Sequence, residues 1–253
     1  MEAVLSVQSI NKHYPGFALE NVSFSLAPNR IMGLIGKNGA GKSTTLKAIL
    51  NMVSPESGNV TMFQKNFYQY EKECKQRIGV VFGGIDFYPL KKLSTITAVT
   101  QKFYTDWDEE QYQKYIKHFA LNESKKFKEL SNGMKVKYLL ALALSHHAEL
   151  LILDEPTSGL DPVSREELLH IFRQIVKNEK CSILFSTHIT SDLDRCTNDI
   201  TYIQNGRVLR SAEKDTFLRS FEHLKTPDDT GPLTLEEIML RTERSEWDDD
   251  ITV

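Results

Sequence analysis

The run Gly36-Lys37-Asn38-Gly39-Ala40-Gly41-Lys42-Ser43 has the spacing G-x-x-x-x-G-K-S. Glycines let a backbone curl until successive N–H groups point inward at an anion. A lysine closing that curl adds a cation at the β- and γ-phosphates of a nucleotide, and the serine after it supplies a hydroxyl ligand for Mg2+. Gly36, Lys37, Asn38, Gly39, Ala40, Gly41, Lys42, Ser43 and the adjoining Thr44 are therefore candidate nucleotide-binding residues. A second pair, Asp154-Glu155, closes the apolar run Leu150-Leu151-Ile152-Leu153. Two carboxylates at the end of a buried strand split the chemistry between them. Asp154 can hold a metal through its water shell, while Glu155 can polarise a water that attacks the γ-phosphate. A phosphate loop of this kind, taken alone, leaves kinases, small GTPases, helicases and transport ATPases open.

Such groups need elements that carry them. Val4 to Ile10 and Val22 to Leu26 alternate apolar and polar residues, which predicts two half-buried, antiparallel strands. Ile31-Met32-Gly33-Leu34-Ile35 is an apolar run bounded by turn residues, a strand covered on both faces. After the glycine loop, Leu46, Ile49, Leu50 and Val53 fall on one face of a helix starting at Lys42. Ile78 to Phe82, Leu150 to Asp154 and Ser182 to Ser186 read as further buried strands, with helical patterns between them. That alternation predicts an α/β fold with a mainly parallel sheet. Residues 87–148 are polar, charged and helix-like, especially Glu109 to Phe119 and Met134 to Leu144, and form an inserted helical lobe. Past Asn205-Gly206 the pattern weakens. Thr226 to Pro232 reads as a linker, and Thr234-Leu-Glu-Glu237 as a capping box opening a short helix with Leu235, Ile238 and Met239 on one face. Asp248 to Asp250 are expected to fray.

With these elements in place, the sequence resembles the ATP-binding subunits of ATP-binding cassette (ABC) transporters over roughly residues 3 to 210. Leu130-Ser131-Asn132-Gly133-Met134 is similar to that family's signature, Leu150 to Glu155 to its Walker B strand, Ser158-Gly159-Leu160-Asp161 to its D-loop and Ser186-Thr187-His188 to its switch histidine. The resemblance implies a P-loop nucleoside triphosphatase core and two subunits packed head to tail. Each ATP then lies between one phosphate loop and the signature of the other subunit. On that basis Glu155, His188 and Lys42 are catalytic candidates, Ser131, Gly133 and Asp161 join the nucleotide-binding set, and Tyr14 matches the aromatic that stacks on adenine. Ser131 before a helical pattern is also a good N-cap, whose free N–H groups and positive helix end face an anion. The cassette spans 1–217 and leaves 218–253 as a C-terminal extension.

Two departures bear on the chemistry. The family's glutamine at the end of the strand leading into the helical lobe is Gly83 here, and Asp86 is the expected substitute oxygen ligand beside Ser43 and Asp154. The signature carries Asn132 and Met134 where glycine and glutamine are common, which predicts a working but slower composite site. Phe87, Tyr88 and Leu90 fall where the family's ATPases meet the cytoplasmic helices of their membrane partners. The finer resemblance is to ATPases of bacterial ABC-2-type exporters.

Composition narrows the function from the other side. The chain has 253 residues, with 31 Lys+Arg against 34 Asp+Glu, a net charge of −3. That balance argues against non-specific nucleic-acid binding. No apolar run approaches the roughly 18–20 residues that span a bilayer, and the start Met-Glu-Ala-Val-Leu-Ser lacks a signal-peptide pattern. Three scattered cysteines form neither a disulfide framework nor a metal site. The leading expectation is an ATPase using ATP and Mg2+ that sits at the inner face of the cell membrane. Its partners are a separately encoded integral membrane permease and a second ATPase subunit, as homodimer or heterodimer. The competing class, a soluble ABC ATPase that remodels DNA or ribosomes, typically brings paired cassettes, coiled-coil insertions, zinc sites or a basic surface, none of which is evident.

Overall fold

The computed structural model describes residues 2–82 and 88–250, with side chains described as far as Glu243. Two strands open the chain, β1 (Leu5–Tyr14) and β2 (Phe17–Leu26), paired antiparallel as their alternation predicts. Both are longer than the apolar pattern alone indicates, because irregularities between Val7 and Lys12 shift which residues face inward. Next come β3 (Ile31–Ile35), α1 (Lys42–Ile49), β4 (Ser57–Met62), β5 (Lys65–Asn66), α2 (Glu71–Lys75) and β6 (Ile78–Phe82). α1 stops before Met52 because Asn51 takes a left-handed φ of 55°. The helical segment holds α3 (Leu93–Thr100), α4 (Glu109–His118) and α5 (Asn132–Leu144), and the core resumes with β7 (Leu150–Asp154), α6 (Pro162–Asn178), β8 (Ser182–Thr187) and α7 (Thr190–Cys196). The chain then runs through β9 (Asp199–Gln204), β10 (Arg207–Glu213), α8 (Lys214–Ser220) and α9 (Leu235–Asp250).

Two sheets result. A four-stranded antiparallel sheet has the order β2-β1-β4-β5, and a six-stranded sheet has the order β10-β9-β3-β8-β7-β6, in which only β10 pairs antiparallel. All five residues of β3 and of β7 are buried, as continuous apolar runs require in a sheet covered on both faces. The β9–β10 turn joins the two sheets: Glu20 N–H donates to the Gly206 carbonyl and Gly206 N–H to the Ala40 carbonyl, both at 2.9 Å. β4, β9 and β10 escape the sequence pattern. β9 is buried beyond its first residue and shows no alternation, and β10 breaks alternation by exposing Leu209 beside Arg207, Arg210 and Glu213.

The C-terminal stretch departs most from expectation. Thr226 to Pro232 is a pinned turn rather than a free linker: Asp229 accepts from Thr226 N–H at 2.6 Å and from both terminal nitrogens of Arg241 at 2.5 and 2.7 Å. The capping box is present, with Glu237 N–H donating to Thr234 Oγ1 at 3.2 Å and the Glu237 carboxylate accepting from Thr234 N–H at 2.8 Å. α9 runs on through Asp250 rather than ending short. Its face seats Leu235 and Ile238 in the same cluster as Tyr202, Phe217 and Phe221. Ile238 is fully buried there. Ile238→Ala is expected to cost about 2–5 kcal/mol of folding stability by urea denaturation, the range for deleting a buried isoleucine; a loss within about 0.5 kcal/mol is what an undocked surface helix would give.

Candidate functional site

The site forms where three neighbouring parallel strands end. β8 lies between β3 and β7, with Ile35 opposite Thr187 and Asp154 opposite Ser186. The residues that follow each strand, Gly36, His188 and Glu155, therefore emerge side by side, at the strand ends where open α/β sheets bind ligands.

The loop Gly36–Ser43 leaves β3 and closes onto α1. At Gly36 any side chain is excluded, since a Cβ there would stand 2.3 Å from the Ile203 carbonyl oxygen. Gly41 takes a φ of 109° as the N-cap of α1 and offers no capping side chain, so the first-turn amides stay available to an anion. Lys42 is buried, and its Nζ donates to the Gly36 and Lys37 carbonyls at 2.8 and 3.2 Å while lying 3.2 Å from Glu155 Oε1. The other Glu155 oxygen meets His188 Nδ1 at 2.8 Å. Lys42, Glu155 and His188, predicted from separate parts of the chain, thus form one contiguous chain of polar contacts. Glu155 has a left-handed φ of 49°, an uncommon conformation for a side-chain-bearing residue, held by its N–H bond to Ser186 Oγ at 2.9 Å.

Ser43 and Asp154 also meet, with Ser43 Oγ donating to Asp154 Oδ1 at 3.0 Å. Ser186 Oγ donates to the same oxygen at 2.5 Å. Ser186 is thus a site residue to which the sequence motifs give no role. Its signal lies in the sheet register, one step before Thr187-His188. Asp86, Phe87 and Gly83 lie outside the described residues.

Tyr14 ends β1 with its ring 40% exposed and Lys12 Nζ 5.7 Å from the ring centroid. It pairs with Phe17 across the hairpin, and Phe17 in turn reaches within 2.9 Å of where a Cβ on Gly41 would lie. Tyr14 therefore belongs to an element that abuts the phosphate loop. Ser131 caps α5, accepting from Met134 N–H at 3.3 Å, as its place before the helical pattern predicts. Asn132 and Gly133 border Gly159, Leu160 and Ser164, so the start of α5 lies against the 158–161 loop. Asp161 caps α6, accepting from Val163 and Ser164 N–H at 3.0 and 3.1 Å, and its Ser164 bonds hold its carboxyl below the usual range. No hydrogen bond among the described residues joins Ser131, Gly133 or Asp161 to Gly36–Ser43 within this one chain. Behind them, Thr157 Oγ1 donates at 2.6 Å to the wholly buried Asp192 of α7, whose carboxyl burial pushes up.

Sheet order, glycine loop and paired carboxylates together define a P-loop nucleoside triphosphatase. The pattern of the ABC transporter family matches residues 19–158. Among curated relatives, the bacitracin transport ATP-binding protein BcrA of Bacillus licheniformis is 29% identical over 228 residues, 89% of this chain and 72% of that protein. The Nod factor export ATP-binding protein I of Burkholderia pseudomallei is 32% identical over 215 residues, 82% of this chain and 70% of that protein. A solved structure of an ATP-binding subunit of an ABC transporter is 26% identical and superposes with a TM-score of 0.80 over 95% of this chain and 99% of that one. The chain belongs to the ABC transporter family, as an ATP-binding subunit with ATPase activity.

Ser186→Ala removes both the donor to Asp154 and the acceptor for Glu155 N–H. It is expected to cost about 1–3 kcal/mol of folding stability and to slow ATP turnover about tenfold, equivalent to about 1.4 kcal/mol of barrier. Urea denaturation and steady-state phosphate release measure the two effects.

Proposed function

We propose that this chain energises a membrane exporter as one of two ATPase subunits, each ATP lying between the Gly36–Ser43 loop of one subunit and the Ser131–Gly133 segment of the other. The observation that carries this reading is the convergence of Lys42, Glu155, His188, Ser43 and Asp154 on the ends of β3, β8 and β7. Export is favoured over import by the relative described as a Nod factor export ATP-binding protein. We assign residues 1–217 to the cassette, with 87–148 as its helical lobe, and 218–253 to the extension.

In this mechanism the loop amides and the open first turn of α1 receive the β- and γ-phosphates. Lys42 exchanges the Gly36 carbonyl and the Glu155 carboxylate for phosphate oxygens. Glu155, released from that ammonium, orients the attacking water, and His188 contacts the γ-phosphate while still tethered to Glu155. Tyr14 stacks on the adenine. Ser43 Oγ and Asp154 Oδ1, hard oxygens 3.0 Å apart at the lip of the loop, fit Mg2+, and Asp86 is proposed as a third ligand. Mg2+ held there would neutralise charge on the phosphates. Among the described residues no cluster of three or more His, Cys, Asp or Glu side chains gathers to hold a metal of its own.

The membrane function is assigned to a separately encoded permease. No helix of the described residues is long and apolar enough to cross a membrane. A groove of about 430 Å³ opens between β6 and α5, lined by Met52, Val80, Phe82, Tyr104, Leu139 and His146. His146 is stacked on Tyr104 with 3.6 Å between ring centroids and stays neutral, its pKa lowered by burial to about 4. Tyr88 and Leu90, from the segment expected to dock, are exposed on the same lobe. Apart from Lys75, which is paired with Glu71, the lining is uncharged, and the cleft suits the apolar face of a short cytoplasmic helix. The permease holds the chain at the inner face of the membrane.

Glu155→Gln is expected to bind ATP, to accumulate as an ATP-bound dimer on size-exclusion chromatography and to lose turnover about a hundredfold or more. Wild-type turnover in that variant would remove Glu155 from the chemistry. Val80→Asp places a charge in the groove. It should abolish co-purification with a co-expressed six-span permease while leaving ATP affinity unchanged; retained co-purification would move the docking site elsewhere.

A further inference from the structure

Lys37, the second residue of the phosphate loop, is held at two atoms. Its carbonyl accepts from Lys42 Nζ at 3.2 Å, and its own Nζ lies 2.7 Å from Glu243 Oε2 of α9. The other Glu243 oxygen accepts from the buried Tyr202 hydroxyl of β9 at 3.1 Å. The Glu243 side chain is only 12% exposed, whereas that of Lys37 is 42% exposed. A carboxylate that gives up most of its water is costly to leave unpaired, and the Lys37 ammonium beside it supplies the compensating charge.

The helix carrying Glu243 is fixed independently. Arg241 grips Asp229 with two nitrogens and the Leu224 carbonyl at 2.8 Å, and Ile238 is sunk in the core. The fixed helix therefore presents its charge to a loop more than two hundred residues away in the chain. Neither the cassette motifs nor the assigned chemistry requires that contact.

We infer that Glu243 is a positioning residue for nucleotide binding: it holds Lys37, and through the Lys37 carbonyl the Lys42 ammonium, in the arrangement that receives phosphate. The C-terminal extension is then a working part of the nucleotide site and not an appendage. The inference rests on the assignment of Gly36–Ser43 as the phosphate loop. Because the tether shapes the loop before reaction and touches no reacting atom, it acts on ground-state binding, and its loss raises KM while sparing kcat.

The test uses the full chain, with MgATP binding read by displacement of fluorescent trinitrophenyl-ATP and turnover by phosphate release. Glu243→Gln is expected to raise Kd and KM for MgATP about fivefold, the scale of one partly exposed ion pair, with kcat within about twofold. Lys37→Met should raise both at least as much, and the double variant should add nothing to it. Glu243→Asp, which keeps the charge, should lie closer to the unaltered chain than Glu243→Gln. An exposed change on the same helix, Leu240→Ser, should leave Kd and KM in place. A Glu243→Gln chain that melts earlier with unchanged Kd would reduce the contact to a structural one and overturn the inference, as would additive effects in the double variant. Failure of the unaltered chain to bind MgATP would instead overturn the phosphate-loop assignment.

Discussion

Two hydroxyls from separate elements end on one carboxylate oxygen, Ser43 Oγ at 3.0 Å and Ser186 Oγ at 2.5 Å from Asp154 Oδ1. Hydrogen bonds to a charged acceptor are about twice as strong as neutral ones, and here they tie the phosphate loop, β8 and β7 at a single point. The rest of the site is registered to that knot. Parallel pairing sets Asp154 beside Ser186 and Ile35 beside Thr187, so each strand delivers its next residue to one place. A slip of one residue would turn every side chain to the opposite face and scatter Glu155 and His188.

Around the knot the charges satisfy one another. Lys42 is buried against two carbonyls and Glu155, and Glu155 spans from that ammonium to His188. Removing charges from water is costly unless partners replace the hydration. In the proposed mechanism, phosphate oxygens and the attacking water replace these contacts. Exchange of partners, rather than assembly of new groups, is what nucleotide entry demands, and preorganised charge of this kind is the main resource of phosphoryl transfer.

Much of this is legible in the sequence because it is local. The glycine spacing at Gly36 and Gly41, the apolar run ending in Asp154-Glu155 and the Ser131 cap are each written within a few adjacent residues. Ser186 escapes such a reading because its role arises from a neighbouring strand 32 residues distant, and no short-range pattern encodes strand order. The C-terminal turn misleads for a similar reason: Thr226 to Pro232 has linker composition, yet Asp229 is pinned by Arg241 across 12 residues. The strands β4 and β9 are flanked by turn residues, Ser54-Pro55 and Asn205-Gly206, but each mixes polar with apolar residues, so no clear strand period stands out. The pair Lys37–Glu243 lies beyond any reading of spacing, since only the fold brings those ends together.

The Asn205–Gly206 turn accepts from Glu20 and donates to Ala40, and so touches the outer sheet and the phosphate loop with adjacent backbone atoms. The hairpin that carries Tyr14 and the curl that carries Lys42 cannot shear past each other without breaking one of these bonds. A molecule lying between them meets a rigid gauge of fixed length. In the proposed function, a base stacked on Tyr14 and a phosphate in the loop therefore pull on one connected unit, and a ligand too short to reach both pulls on neither.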